Sequence, residues 1–127
     1  MPTDKNNFKY KDLTEKVIKG FYEVYNELGA GFLESVYENA LAIVLENYSL
    51  RVDQQFPIPV KFRGKIIGDF KADILVDNKV IVELKAVKRI IDAHKSQLIN
   101  YLKASDIEVG LLLNFGEKPE LKRFIFN

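Results

Sequence analysis

The sequence predicts a single α/β domain with the element order α-α-β-β-β-α-β-β. Apolar residues recur at helical spacing up to about residue 48, whereas short apolar runs bounded by turn residues dominate after residue 50. The chain has 127 residues, which suffices for one hydrophobic core but not for two domains of ordinary size. We expect a flexible leader over residues 1–11 and one domain over residues 12–127.

Two helices are predicted in the first half of the chain. Apolar residues one turn apart predict the first helix over residues 13–28, and the sequence Gly-Ala-Gly at 29–31 ends it. A second apolar stripe predicts the next helix over residues 33–48. On a helical wheel Glu34 falls on the core-facing side of this helix, where an unpaired carboxylate is costly. Glu34 is therefore expected to pair with a lysine or to join a carboxylate site.

The second half of the chain is predicted to form five strands and one helix. Turn residues separate the apolar runs, and the two prolines of the first run suggest an edge strand or an irregular start. The strands are expected at residues 54–62, 66–76, 80–86, 108–115 and 121–126, and the helix at residues 92–104.

Composition excludes several kinds of site. The chain has no cysteine and one histidine, which excludes disulfides, thiolate zinc sites, a cysteine nucleophile and a multi-histidine metal site within one chain. A metal ion would have to be held by oxygen atoms, which favours magnesium, manganese or calcium. The formal net charge of +1 lacks the strongly basic character of a dedicated nucleic-acid binder. No apolar run reaches the roughly 18 residues of a membrane span, and the first residues do not resemble a secretion signal, so a cytoplasmic protein is expected.

The stretch ADILVDNKVIVELKA, residues 72–86, is predicted to be a hairpin that contains three charged side chains. If residues 77–79 form a three-residue loop, Asp73 lies directly opposite Glu83, and Lys85 shares their face. A two-residue turn would put the two carboxylates on opposite faces of the hairpin.

The three-residue loop requires at least one residue in the left-handed backbone conformation. Asn78 or Lys79 is expected to adopt it.

Two carboxylates facing each other across a strand pair destabilise it, because their separation is only about 5 Å. A divalent cation between Asp73 and Glu83 would reverse that effect. The alternative is an ordinary buried salt-bridge network in which Lys85 and Lys71 neutralise the pair. The hairpin alone does not distinguish these two interpretations.

The third predicted helix carries a polar stripe. His94, Gln97 and Tyr101 stand at positions i, i+3 and i+7 on a mostly inward face. A histidine or tyrosine at a helix boundary is usually structural, whereas an inward glutamine needs partners for both its donor and its acceptor groups.

These residues together resemble the PD-(D/E)xK nuclease superfamily, whose common core has the order α-β-β-β-α-β. Asp73 followed by Glu83-Leu84-Lys85 resembles its signature, with Ala72 in place of the proline. The run from Gln97 to Tyr101 is similar to the QxxxY motif of RecB-like nucleases. The run GFLESVY at 31–37 resembles the motif of the GxxExxY family within the same superfamily. The resemblance covers about residues 13–126 and implies a restriction-endonuclease-like core with an additional N-terminal helix and a C-terminal strand.

The resemblance also implies a metal site. Asp73 and Glu83 would bind Mg2+ or Mn2+, with the backbone carbonyl of Leu84 as a further ligand. Glu34 would reach the ion directly or through water.

The resemblance assigns the remaining catalytic roles to Lys85, Gln97 and Tyr101. Lys85 would orient the attacking water or stabilise charge on the scissile phosphate, with a general base as a disputed alternative. Gln97 and Tyr101 would position the metal ligands, the lysine or the nucleic-acid backbone.

The function expected from these features is metal-dependent hydrolysis of phosphodiesters in nucleic acid, with DNA favoured over RNA. The alternative is a non-catalytic module that keeps the fold and binds nucleic acid or protein. A homodimer or larger complex, in which the strand at 124–126 pairs at a sheet edge, is a further arrangement. Basic side chains are expected to contact phosphates, although solvated surface charge explains them equally well: Lys71, Lys88, Arg89 and Lys95, with Lys61, Arg63 and Lys65.

Overall fold

The computed structural model describes residues 9–126 and contains the predicted elements in the predicted order. Their bounds agree with the sequence prediction to within two residues. The helices are α1 (Lys11–Leu28), α2 (Glu34–Asn47) and α3 (Asp92–Ala104). The strands are β1 (Val52–Phe62), β2 (Lys65–Val76), β3 (Val80–Lys85), β4 (Val109–Phe115) and β5 (Pro119–Ile125).

The flexible leader predicted over residues 1–11 extends too far, because residues 9–11 already belong to the folded domain. Residues 1–8 lie outside the described part of the chain, but Lys9 forms an ion pair with Glu108, and its carbonyl accepts a hydrogen bond from Arg123. Helix α1 then begins at Lys11. Residues 9–11 are therefore anchored to the domain by contacts far away in sequence, which local composition does not reveal.

The five strands form one mixed sheet in the order β1-β2-β3-β4-β5. Strands β3 and β4 are parallel, and the other neighbours are antiparallel. The parallel pair requires a crossover, which α3 supplies. Strand β5 lies at an edge of the sheet.

Helices cover both faces of the sheet. Helices α1 and α2 pack on one face through Phe21, Tyr37 and Leu41, against strand residues such as Val80 and Val82. Helix α3 packs on the other face, whose buried side chains include Leu75, Ile81, Leu98, Tyr101 and Leu102. None of the helices within residues 9–126 is long and apolar enough to cross a lipid bilayer.

The sheet divides between β2 and β3. Their ladder contains three residue pairs and ends at Ile74 and Val82, whereas β2 continues to pair with β1 as far as Lys65. Beyond Ile74 the β1–β2 pair therefore separates from β3, β4 and β5. We call this point the fork, and the two-stranded segment beyond it, residues 56–72, the ribbon.

The turn between β2 and β3 has the predicted length. Val76 pairs with Val80, and the Lys79 N–H donates to the Val76 carbonyl at 2.9 Å. Asn78 is left-handed, as expected, with φ 57°, but the second left-handed residue is Asp77 with φ 51° rather than Lys79. Short polar side chains tolerate this conformation best, which accounts for the difference.

The loop before α2 depends on two glycines and a buried tyrosine. Gly29 has φ 69° and Gly31 has φ 112°, backbone conformations that side chains other than glycine's rarely adopt. The Tyr37 hydroxyl donates to the Gly29 carbonyl at 2.5 Å and accepts from the Phe32 N–H at 3.1 Å. Its ring stacks on Phe115 with centroids 4.3 Å apart. The start of α2 is thereby held against the end of β4.

The chain that leaves β3 is held by the end of β4. The buried Asn114 side chain accepts from the Val87 N–H at 3.0 Å and donates to the Val87 carbonyl at 2.9 Å. Gly116 lies so close that an added Cβ would come within 2.2 Å of the Val87 carbonyl oxygen. These contacts position the residues that directly follow Lys85.

We expect Gly116→Ala to destabilise the protein by about 1–3 kcal/mol, because its methyl group overlaps a backbone atom that cannot rotate away. Urea unfolding measures this change. Gly68→Ala is the control, since its Cβ meets nothing nearer than 3.6 Å and should change stability little. Equal midpoints for the two variants would contradict the close approach to Val87.

Candidate active site

Asp73 and Glu83 meet at the fork. The Asp73 N–H donates to Glu83 Oε1 at 2.9 Å, and the Leu84 N–H donates to Asp73 Oδ2 at 2.9 Å. These bonds stand where the β2–β3 ladder has ended, so the carboxylates satisfy amides that would otherwise lose their partners. The two carboxylates therefore lie together, as the three-residue loop predicts.

Glu83 is almost completely buried, with 4% of its surface exposed. Its pKa is raised to about 8, chiefly by burial and next by the charge of Asp73. The hydrogen bond from the Asp73 amide and the charge of Lys85 oppose this shift, and the charge of Glu34 adds to it. Glu83 therefore holds a proton far more tightly than an ordinary glutamate.

The salt-bridge interpretation of the hairpin is wrong. Within residues 9–126 neither Asp73 nor Glu83 forms an ion pair with Lys71 or Lys85. The Lys85 ammonium instead donates to Gln97 Oε1 at 3.2 Å, and Lys71 is exposed. The carboxylate pair is thus left without a neutralising partner in direct contact.

Glu34 does not face the core, which corrects the prediction from the helical wheel. It is the first residue of α2 and is exposed to solvent. A helical wheel gives the direction of a side chain around the helix axis, but it does not show where the helix begins. Glu34 lies at the N-terminus of α2, where the helix dipole favours a negative charge. The described residues contain no group of three or more Asp, Glu, His or Cys side chains placed to hold a metal ion. Glu34 acts on Glu83 through its charge, without joining such a group.

Helix α3 brings its predicted residues to the same side of the sheet. Gln97 is exposed rather than inward-facing as predicted, and it contacts Lys85. Tyr101 is buried, and its ring lies 5.6 Å from that of Phe70. Burial raises the pKa of Tyr101, and the charges of Glu83 and Asp73 add to the shift. Tyr101 therefore lies within electrostatic range of both carboxylates.

His94 has a structural contact instead. Its Nδ1 accepts from the Ile91 N–H at 3.1 Å at the start of α3.

The predicted phosphate contacts do not form one cluster. Lys88 and Arg89 are exposed and line a pocket at the start of α3. Lys71 lies on the ribbon, two residues before Asp73. Lys95 lies 3.7 Å from Asp92, one turn earlier on the same helix.

The sequence analysis missed Gln55 and Glu38. Gln55 Nε2 donates to Glu38 Oε1 at 2.6 Å and to Asp73 Oδ1 at 3.4 Å, so it connects α2 to the fork. Glu38 also accepts a hydrogen bond from Gln54 Nε2 at 2.8 Å. The only sequence signal was the pair of adjacent glutamines at the start of a predicted strand.

Gln55 also has a strained backbone. Its φ is 52°, a left-handed value inside a strand, and the pairs on either side of it are Gln54 with Ile74 and Phe56 with Ala72. It therefore stands opposite Asp73, where the ladder is interrupted. Non-glycine residues in this conformation concentrate at functional sites.

The oxygen atoms at the fork fit a divalent cation. Among the hydrogen bonds of residues 9–126, Glu83 Oε2 receives none, and Asp73 Oδ1 receives only the long bond from Gln55. One oxygen from each carboxylate is thus left for another ligand. Mg2+ is commonly held by one or two carboxylates, with water and substrate oxygens completing its shell.

We expect the pH dependence of stability to depend on Glu83. The pKa of Glu83 is about 8 in the folded protein, whereas the ordinary value for a glutamate is 4.5. Between these two pH values the folded state therefore binds a proton at Glu83 that the unfolded state has lost. The stabilisation is complete below pH 4.5 and is lost as the pH rises towards 8. Urea unfolding with EDTA at several pH values should show this decline in the wild type and a flatter profile in Glu83→Gln. Glu46→Gln, an exposed control, should keep the wild-type profile; an unchanged profile in Glu83→Gln would contradict the assignment.

We expect Gln55→Gly to be more stable than Gln55→Ala by about 1 kcal/mol, because only glycine adopts the left-handed conformation without cost. Both variants lack the amide, so the comparison isolates the backbone. At Gln54, whose φ is not positive, alanine should be the more stable replacement. Thermal unfolding measures all four variants, and the order Ala above Gly at both positions would argue against a strained Gln55.

Comparisons with known proteins agree with this architecture. The model of the PD-(D/E)XK nuclease superfamily matches residues 11–124. The crystal structure of SSO0001 is similar with a TM-score of 0.56 and 21% sequence identity, over 72% of this chain and 50% of that chain. The chain thus spans half the length of SSO0001, and at this identity the likeness concerns the fold alone. A search of curated proteins gave no significant match. The match over residues 11–124 shows that the chain belongs to the PD-(D/E)XK nuclease superfamily.

Proposed function

We propose that the protein is a metal-dependent nuclease that hydrolyses phosphodiester bonds in nucleic acid, with DNA as its substrate. The observation that carries this proposal is the pair Asp73 and Glu83 at the fork, with Lys85 two residues after Glu83 on β3. Superfamily membership supports the same chemistry.

Asp73 and Glu83 would hold Mg2+ or Mn2+ through the two oxygens left at the fork, with the Leu84 carbonyl as a further ligand. The exposed Glu34 would contribute through water. When bound, the ion supplies Lewis-acid polarisation of a phosphoryl oxygen and a lower pKa for a coordinated water.

Lys85 would stabilise the negative charge that develops on the scissile phosphate. Its ammonium is oriented by Gln97 Oε1 at 3.2 Å, and it forms no ion pair with either carboxylate. The raised pKa keeps the Tyr101 hydroxyl protonated, so Tyr101 would donate a hydrogen bond to the nucleic-acid backbone.

Three finer assignments are part of the same proposal. We assign the chain to the GxxExxY group, since Gly31 and Tyr37 build the loop that places Glu34 at the start of α2. A cytoplasmic location and a homodimer formed through the β5 edge remain predictions.

Lys85→Ala and Asp73→Asn should each lower cleavage by about a hundredfold or more. Lys85→Ala removes the positive charge near the scissile phosphate, and Asp73→Asn removes a carboxylate ligand of the metal ion. The measurement is hydrolysis of labelled single- and double-stranded DNA and RNA by the full chain with Mg2+ or Mn2+. Lys79→Ala, at the opposite end of the same hairpin, is the matched control and should keep wild-type activity. Undiminished cleavage in both site variants would rule out this site.

A non-catalytic nucleic-acid-binding or protein-interaction module is the second candidate. The observation in its favour is that both carboxylates accept backbone hydrogen bonds at the fork, a structural role that persists without catalysis. Absence of metal-dependent cleavage on every polymer, with Mn2+ binding retained, would favour this candidate.

A further inference from the structure

The ribbon carries apolar side chains that the core does not use. Phe62, Ile66, Ile67 and Phe70 are all exposed, by 48–66% of their surface. Basic residues accompany them on the same segment: Lys61, Arg63, Lys65 and Lys71, with Asp69 as the acidic exception. Exposed aromatic and basic side chains on one segment are typical of nucleic-acid-binding surfaces.

A groove of 590 Å³ lies between the ribbon and the C-terminal half of α3. Lys61 and Phe70 line it from the ribbon, and Asn100 and Lys103 line it from the helix. Its remaining lining is apolar, and it includes no carboxylate. Lys103 is exposed, with its ammonium 5.8 Å from the Phe126 ring. The groove is therefore lined by an aromatic ring, a carboxamide and two lysine side chains.

Helix α3 borders the groove and also contacts the candidate active site. The Phe70 ring lies 5.6 Å from Tyr101, which in turn lies within electrostatic range of Glu83 and Asp73. On α3, Asn100 stands one turn after Gln97, the residue that contacts Lys85. The same helix thus carries one residue of the groove and one residue that contacts Lys85.

We propose that this groove binds a single-stranded segment of nucleic acid next to the scissile phosphate, with a base stacked on Phe70 and phosphates at Lys61 and Lys103. Asn100 would contact the edge of that base. The inference rests on the proposed nuclease function and adds a substrate class to it.

Single strands fit the groove better than the other occupants. Bases in a duplex are stacked on one another and do not present a free face to Phe70. A second copy of the same groove would bring Lys61 and Lys103 against like charges. Phosphates, in contrast, complement both lysines.

The test measures binding without cleavage. Fluorescence anisotropy in EDTA follows the full chain as it binds labelled oligothymidylate, oligouridylate and a DNA duplex. Phe70→Ala should weaken single-strand binding about tenfold, since a stacked base is lost. Tyr22→Ala, which removes an exposed aromatic side chain on α1, is the control and should bind like the wild type.

The lysines are tested by salt dependence, which does not depend on the packing of Phe70. Lys61→Gln with Lys103→Gln should reduce the slope of log affinity against log salt by about 1.4, or 0.7 for each lost phosphate contact. Lys122→Gln, on β5 at the other edge of the sheet, should leave the slope unchanged. Thermal unfolding confirms that each variant is folded.

The outcomes separate the two proposals. Single-strand binding that depends on Phe70 and both lysines supports the groove, even if Asp73→Asn shows that the proposed nuclease site is wrong. Wild-type binding by all groove variants overturns the groove proposal, even in a chain that cleaves. Duplex binding tighter than single-strand binding also overturns it. So does a dimer, detected by light scattering, that dissociates in Phe70→Ala while no oligonucleotide binds.

Discussion

The structure depends on how the backbone amides are satisfied where β2 leaves β3. The ladder ends at Ile74 and Val82, so the amides of Asp73 and Leu84 need other partners. The carboxylates of Glu83 and Asp73 accept these two hydrogen bonds. Buried amides without hydrogen-bond partners would destabilise the fold. Satisfying both amides brings the two carboxyl groups next to each other. Burial, and next the charge of Asp73, raise the pKa of Glu83, so the contacts that close the fold also define the candidate site.

The division of the sheet also explains how both helical layers affect one site. Helix α2 packs on one face, yet Glu38 reaches Asp73 through Gln55, and the charge of Glu34 acts on Glu83. Helix α3 packs on the other face and orients Lys85 through Gln97. An unbroken ladder would separate these layers, whereas the division lets groups from both approach the same pair of carboxylates.

Two unfavourable local features occur at this point. Glu83 is buried with a raised pKa, and Gln55 holds a left-handed backbone within a strand. Elsewhere the core consists mainly of aliphatic and aromatic side chains, with Thr14 and Asn114 as buried polar exceptions among the described residues. Departures from local preference at one site, in an otherwise consistent fold, are expected where a protein functions.

The sequence by itself determined the order of the elements, their bounds to within two residues, and the register of the hairpin that brings Asp73 to Glu83. These features follow from local periodicity and turn length, which neighbouring residues encode. The exposed position of Glu34, the strain at Gln55 and the link through Glu38 were decided by tertiary structure alone. They depend on where a helix end meets the sheet and on where a ladder stops. Both result from packing between segments distant in sequence, which no local pattern records.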